Sequence, residues 1–338
     1  MPTLLVTGAA GFIGSNFVRY WTEAHPADGL VALDLLTYAG NRPNLADLED
    51  RITFVQADIA DLPVCEALLA DLAVDVVVNF AAESHNSLAV LDPGRFVRTN
   101  VLGTQSLLEA ARRVGVSRFH HVSTCEVYGD LALDDPAAFT EESPYRPRTP
   151  YNASKAAADH IVRAYHETYG LPISISNCSN NYGPYQFPEK LIPLFTSRAL
   201  DDHPLPLYAS TANRREWLHA LDHCSAIDLI LGQGREGEIY NVGSGVEASI
   251  EEIADLVLDV LGKPASLKTI VPDRPGHDRR YLLDSAKIRR ELGWAPATEF
   301  GSGVRATVEW YARNRAWWEP LRDRAPVAED AWTESAHR

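Results

Sequence analysis

The sequence predicts an α/β fold, a doubly wound parallel sheet carrying a smaller, discontinuous α/β lobe, and three observations predict it. Short β-branched runs alternate with amphipathic helical stretches through the first half of the chain. A glycine-rich turn follows the first of those runs and opens the first helix. After about Asn180 the texture changes to loops rich in Pro, Asn and Tyr, then to short helices and isolated strands.

The strand candidates are Leu4 to Thr7, Leu30 to Asp34, Thr53 to Gln56, Val74 to Phe80, Phe119 to Ser123 and Ile173 to Ser176. Near-continuous apolar runs of this kind suit strands covered by helices on both faces. Two long helices are expected over roughly Arg95 to Val114 and Tyr151 to Tyr169, stopped by Gly115 and by Gly170 with Pro172 just beyond. Ala153, Ala156, Ala157 and Ala158 give the second helix a small-residue face that suits packing on the sheet or a helix-to-helix dimer seam. Residues 1–179 form the first domain in this reading, and 214–243 return to its sheet. Residues 180–213 and 244–318 make the smaller lobe, and 319–338 a polar tail. Neither an internal repeat nor a low-complexity segment is present.

With 338 residues, 46% of them hydrophobic, the chain has enough apolar material for a large core. Its net charge of −15, from 46 acidic against 31 basic side chains, repels nucleic acid and anionic membranes at long range. Four cysteines without a CxxC pair indicate neither a disulfide scaffold nor a metal site. Met1-Pro2-Thr3 runs straight into an apolar strand, and no 18-residue apolar run follows, so a cytoplasmic location with no membrane contact is expected.

The glycine turn reads Thr7-Gly8-Ala9-Ala10-Gly11-Phe12-Ile13-Gly14. Glycines at these positions let the backbone turn tightly, approach a pyrophosphate and pack the helix on the strand, with amides and the helix dipole facing the phosphates. Such a triplet alone also serves an ordinary tight turn. Here Asp34 ends the next strand twenty residues after Gly14, where a carboxylate accepts hydrogen bonds from an adenosine ribose and repels a 2′-phosphate. A Rossmann-type domain binding NAD rather than NADP follows. Further on, Tyr151 and Lys155 are four residues apart on a predicted helix and share one face. An ammonium and a nicotinamide cation would draw the phenol down from about 10, so that it accepts a hydroxyl proton. Surface Tyr and Lys pairs at this spacing are common. Ser123 and Thr124 tip the reading toward chemistry, because they close the preceding strand at the ligand-binding edge of an open sheet.

Taken together, these features resemble the extended short-chain dehydrogenase/reductase family. The strings Leu33 to Asn41, Ala81-Ala82-Glu83-Ser84-His85, Cys178 to Pro193 and Asp273 to Tyr281 are similar, more narrowly, to the dTDP-glucose 4,6-dehydratases. The resemblance implies NAD held by Gly8, Gly11, Phe12, Ile13, Gly14, Asp34, Thr37, Asp58, Ile59, Ala81, Ala82, Ser123, Tyr151, Lys155 and Cys178. It implies a nucleotide-diphosphate hexose, dTDP-glucose foremost, against Ser84, His85, Asn180, Glu189, Lys190, Leu191, Arg215, Arg274 and Tyr281. The two arginines offer planar forks of donors that suit a diphosphate, although a surface ion pair is their ordinary use. A homodimer through the 95–114 and 151–169 helices is expected.

In that family C4 is oxidised, a Glu takes the C5 proton, a neighbouring Asp protonates the departing 6-hydroxyl, and the hydride returns to C6. Thr124, Cys125, Glu126, Tyr151 and Lys155 occupy the corresponding positions, so Cys125 stands where the family has Asp. Ser87, Leu88 and Asn177 also depart from the pattern, as does Ala209 to Ala212 in place of a Gly-rich turn. A thiol titrating near about 8.5 is protonated at neutral pH and could donate. A lone cysteine at a strand end is as readily a small buried hydrophobe, in which case Glu126 does both jobs. Alternatives are a 5,6-dehydratase that returns hydride to C4, an epimerase, and a silent dinucleotide or sugar-nucleotide binding protein, which would not need Thr124, Glu126, Tyr151 and Lys155 together.

Overall fold

The computed structural model describes residues 1–273 and 276–325. Its early strands are β1 (Thr3–Thr7), β2 (Gly29–Asp34), β3 (Thr53–Gln56), β4 (Val76–Asn79), β5 (Arg118–Thr124) and β6 (Ile173–Cys178). Later come β7 (Asn180–Tyr182), β8 (Leu205–Tyr208), β9 (Arg214–His219), β10 (Ile239–Val242), β11 (Glu247–Ser249) and β12 (Lys268–Val271). Seven of them lie in the order β10-β6-β5-β4-β1-β2-β3, every pair parallel. Strand order reverses between β1 and β4, so the loops after these two strands part at the carboxyl edge and leave a crevice.

Alternation along β1 explains why the strand is apolar throughout. Leu5 joins Val31, Val77 and Phe119 in one core layer, under Leu107, Leu108 and Val162, whereas Leu4 and Val6 face Phe17, Val18 and Ile227 in the other. Those layers are supplied by helices α1 (Phe12–Ala24), α2 (Leu62–Asp71), α5 (Thr104–Val114), α6 (Pro150–Tyr169) and α8 (Ala220–Gln233), whereas α3 (Asn86–Leu91) and α4 (Pro93–Phe96) pack around Tyr151 in a cluster of their own, and α7 (Leu191–Leu200) follows α6 in the chain. Of these, α7 belongs to the smaller lobe. There it packs with α9 (Ile250–Leu261) and α11 (Phe300–Arg313) around Phe195, Val257 and Val308, while α10 (Ala286–Leu292) sets Ile288 and Leu292 against Tyr240 of β10. The lobe also holds the three-stranded sheet β11-β9-β7 and the pair β12-β8.

Three departures from the sequence reading stand out. The stretch 214–243 divides: β10 extends the main sheet beside β6 and α8 packs near α1, but β9 pairs with β7 and β11 in the other sheet. Its neighbour β7 follows β6 almost without a break, which ties the two sheets together directly. The expected tail does not begin at 319, because α12 (Arg315–Arg322) runs through it and buries Trp318 and Leu321. Residues 326–338 lie outside the described residues. Lastly, the expected helix over 95–114 contains a π-type segment, Val97–Gly103, between α4 and α5. Hydropathy does not reveal it, because the segment exists to turn one polar residue inward.

That residue is Asn100, 1% exposed. Its side chain accepts from Glu83 N (2.8 Å) and donates to Glu83 O (3.0 Å) and Ser154 Oγ (2.8 Å), so it fastens the loop after β4 to α6. Gly103, closing the same segment, lets it come close to the loop before α2, since a Cβ there would lie 2.8 Å from Ile59. Replacing Asn100 by Leu takes a partner from three buried polar groups and leaves two of them, Glu83 N–H and C=O, stranded, since Ser154 Oγ still donates to Tyr151 O. At about 1–3 kcal/mol for each unsatisfied group, Asn100→Leu should lower the unfolding free energy by at least about 2 kcal/mol in a denaturant titration. A change within about 0.5 kcal/mol would show that the two groups find other partners.

Candidate active site

The turn after β1 is built so that only glycine fits at two of its positions. Gly8 has φ +64°, and a Cβ on it would lie 2.7 Å from Ala81 N; a Cβ on Gly14 would lie 2.2 Å from Gly8 O. Backbone thus reaches the floor of the crevice with nothing above it, and α1 begins at Phe12 with its free amides facing the same way. Asp34, at the end of β2, accepts from Ala10 N (2.9 Å) and Leu36 N (2.7 Å). Burial raises its pKa, and the backbone N–H groups of Leu36, Ala10 and Gly11 oppose that rise. Asp58, one strand over, pairs with Arg98 at 2.7 Å and caps Ala60 N. A bare glycine cradle with a carboxylate at the end of the second strand fits a dinucleotide with free ribose hydroxyls.

The crevice widens into a cavity of about 650 Å³ between sheet and lobe. Gly8, Gly11, Phe12, Ile13, Gly14, Asp34, Thr37, Asp58, Ile59, Ala81, Ala82, Ser123, Thr124, Glu126, Tyr151, Lys155 and Cys178 line its main-domain side. Ser84, His85, Asn180, Glu189, Lys190, Leu191 and Arg215 line the remainder. Arg215 is held from behind, donating to Arg214 O (2.7 Å), Asp278 O (2.8 Å) and Arg279 O (3.3 Å), with its guanidinium 4.8 Å from the centre of the Tyr281 ring. Tyr281 therefore supports the arginine and does not itself line the cavity. Arg274 lies outside the described residues.

At the reacting end, Thr149 caps α6 through Asn152 N, and Tyr151 and Lys155 stand one turn apart on the buried face. Thr124 at the end of β5 hydrogen-bonds the Tyr151 phenol and accepts from Glu126 N at 3.3 Å. The phenol is not depressed in the chain by itself. Burial, then the Glu126 charge, pushes Tyr151 up, while Thr124 pulls the other way. The Lys155 head group is turned to β5, bonded to Val122 O at 2.8 Å and set 3.1 Å from His121 Nε2.

Cys125 is set apart from its neighbours. Its side chain, 1% exposed, packs with Val127, Tyr128, Ala156, Tyr281 and Leu283, and it is absent from the cavity wall. Burial and the Glu126 charge hold its thiol well above the usual range. Glu126 faces the cavity, with Oε2 accepting from Asn86 Nδ2 at 3.0 Å; Asn86 Oδ1 in turn accepts from the cap residue Thr149 at 2.9 Å.

Sequence reasoning missed several residues that this geometry brings in. Tyr38 donates to Glu189 Oε1 (2.9 Å), whose other oxygen is 3.3 Å from His85 Nε2, so three side chains close one cavity wall. Asn86 and Asn100 buttress Glu126 and α6. The LTYAGN string contained Tyr38, but nothing in spacing singled it out, and Asn86 is read only once Glu126 is seen beside it.

The family model for GDP-mannose 4,6 dehydratase matches residues 5–307. A dTDP-glucose 4,6-dehydratase of Streptomyces antibioticus is 50% identical over 326 residues, spanning 95% of this chain and 96% of that protein. The crystal structure of a dTDP-glucose 4,6-dehydratase from Streptomyces venezuelae, with NAD bound, superposes with a TM-score of 0.92 at 52% identity, covering 95% of this chain and 100% of that one. The UDP-glucose 4-epimerase of Thermus thermophilus, in complex with NAD, gives 0.85 at 31% identity, covering 92% and 99%. The chain belongs to the GDP-mannose 4,6-dehydratase family of extended short-chain dehydrogenase/reductases, and about half of its residues are shared with dTDP-glucose 4,6-dehydratases.

Proposed function

We propose that this protein is an NAD-dependent dehydratase of dTDP-glucose, producing a 4-keto-6-deoxy sugar. The observation that carries the reading is the convergence of Thr124, Glu126, Tyr151 and Lys155 on one cavity wall, at the end of a glycine cradle. A protein that only binds nucleotide sugars has no use for that set.

When bound, NAD supplies the two-electron acceptor for C4 and a positive ring beside the phenol. Gly8, Gly11 and Gly14 take its diphosphate, and Asp34 its adenosine ribose. Tyr151, as phenolate, accepts the C4 hydroxyl proton with Thr124 donating to it. The ketone acidifies C5, and Glu126, oriented by Asn86, removes that proton. With the Cys125 thiol packed away from the cavity, Glu126 delivers the same proton to the 6-oxygen, which leaves as water. The proton that Tyr151 took balances the one C5 regains. Arg215 and Lys190 offer their charges to the nucleotide diphosphate.

Homodimerisation through the 95–114 and 151–169 helices is supported by Val97 (55% exposed), Leu102 (49%) and Tyr169 (57%), large side chains of these two stretches left outside the core. Four unpaired, buried cysteines suit a reducing cytoplasm. Among the described residues no helix is long and apolar enough to cross a membrane.

Single-turnover experiments with dTDP-glucose divide the roles. Tyr151→Phe should slow C4 oxidation by roughly 10²-fold or more, read as nicotinamide absorbance. Glu126→Gln should permit that oxidation and stop loss of water, while Cys125→Ala should leave elimination within about threefold of the parent. Elimination lost in Cys125→Ala would return the proton-donor role to the thiol, and no turnover with any nucleotide hexose would refute the assignment. For the dimer, sedimentation should show two chains in the parent and one in Val97→Asp/Leu102→Asp; an unchanged mass would place the interface elsewhere.

A further inference from the structure

Lys155 is 3% exposed, and a buried ammonium without a counter-charge gives up its proton. Its two direct partners, Val122 O and His121 Nε2, are both neutral acceptors on β5. Burial and the Lys155 charge keep the His121 imidazole well below its ordinary range, hence uncharged. The negative charge sits one step further on. Asp159, fully buried, has Oδ1 3.5 Å from His121 Nε2, while Oδ2 accepts from Ser123 Oγ at 2.7 Å and Tyr145 OH at 3.0 Å. Tyr151, Lys155 and Asp159 thus follow one another at four-residue steps along α6, and the imidazole stands between the last two.

We infer that Asp159, with His121 as a neutral spacer, is the counter-ion that keeps Lys155 an ammonium beside Tyr151. Both are positioning residues, acting through Lys155. The spacer has a physical purpose. It gives the ammonium an acceptor while preventing a direct ion pair that would draw Lys155 down the helix, away from the cavity it lines. His121 is held from behind by the Asn79 side-chain amide, 3.1 Å from Nδ1; for Nε2 to accept from the ammonium, the neutral imidazole carries its proton on Nδ1 and the amide turns its oxygen to that proton. The other titratable groups around Lys155 are the Cys178 thiol on β6 and Tyr151 on α6; Arg163 acts on Asp159 from α6, and Glu126, after β5, acts on Tyr151 and Cys178.

Titration directions agree with that geometry. Burial lowers Lys155 to about 8, and Asp159 opposes the drop. Burial raises Asp159 to about 6, and Lys155, then Ser123, oppose the rise. Between these values both are ionised. With its folded pKa above the unfolded one, Asp159 makes burial costlier as pH rises toward 6; Lys155, with its folded pKa below the unfolded one, relieves its own cost as pH rises beyond 8.

The catalytic consequence rests on the reaction proposed above, but the charge state of Lys155 does not, and this separates the two in one experiment. The chain has five lysines, Lys155, Lys190, Lys263, Lys268 and Lys287, so lysine labelled with ¹³C at Cε gives a spectrum simple enough to titrate by NMR. In the NAD-loaded parent, Lys155 should titrate well below the other four. Asp159→Asn, nearly isosteric, should move the Lys155 midpoint down by a unit or more, and should lower kcat near pH 7 by about twofold for one unit and about tenfold for two, with KM for dTDP-glucose unchanged. Tyr145→Phe, which removes only one hydrogen bond from Asp159, should move the midpoint the same way by less, and it decides the matter if Asp159→Asn does not fold. A Lys155 midpoint that stays put in a folded variant overturns the inference, as does a loss expressed through KM. Absence of turnover in the parent counts against the proposed reaction and leaves the midpoint to judge the counter-ion.

Discussion

The proposed reaction requires a charged lysine to be kept inside the protein beside a tyrosine that loses a proton, and much of the architecture answers to that constraint. Removing an ammonium from water is costly unless its hydrogen bonds and charge are met in the interior. The end of β5 meets the hydrogen bonds, through Val122 O and His121, and α6 carries the opposite charge in Asp159. Strand and helix must therefore hold a fixed register. Asn100, turned inward by the π-type segment, fastens α6 through Ser154, and Thr149 caps its first turn. The same strand end carries Ser123 and Thr124, so the contacts that secure Asp159 and Tyr151 are neighbours in sequence. Seen this way, the parallel sheet is what lets one strand terminus and one helix face share a single site.

The proposed elimination draws on a second, more local arrangement. Glu126 sits in a 3₁₀ turn that points residue 126 into the cavity and residue 125 into the cluster around Tyr128, Tyr281 and Leu283. With a cysteine there, the apolar cluster is satisfied without a buried carboxylate. Asn86 then supplies a fixed donor to Glu126 and, through Thr149, couples the carboxylate's position to the helix that bears Tyr151. In the proposed reaction, oxidation and elimination would share one rigid frame, which suits two steps that follow each other on one bound sugar.

The sheet was readable in the sequence because β-branched runs and glycine stops are local signals, and the strand boundaries agree to within a few residues at β1, β2, β3, β5 and β6. The placement of Gly8 and Gly14 in a tight turn, of Asp34 at a strand end and of Tyr151 and Lys155 on one helix face was legible for the same reason: backbone geometry and helical spacing impose it one element at a time. Residues whose role depends on two distant segments were not. Asn86 matters because it lies between Glu126 and Thr149, Asp159 because β5 brings His121 and Ser123 to it, and Asn100 because a π-type turn rotates it inward. Cys125 shows the limit most clearly. Its acidity could be argued from the residue type, but whether the thiol points into the cavity or into the core is set by the 3₁₀ turn and by Tyr281, more than 150 residues away.

In the proposed reaction the sugar gives hydride at C4 and receives it at C6 within a single site. Deuterium placed at C4 of dTDP-glucose follows that hydride directly. Mass spectrometry and NMR of the product should find the label in a new C6 methyl group, with none exchanged into solvent. Label retained at C4 beside a vinylic C6 would instead identify a 5,6-dehydratase, and label at C4 with the 6-hydroxyl intact would identify an epimerase; either result contradicts the account.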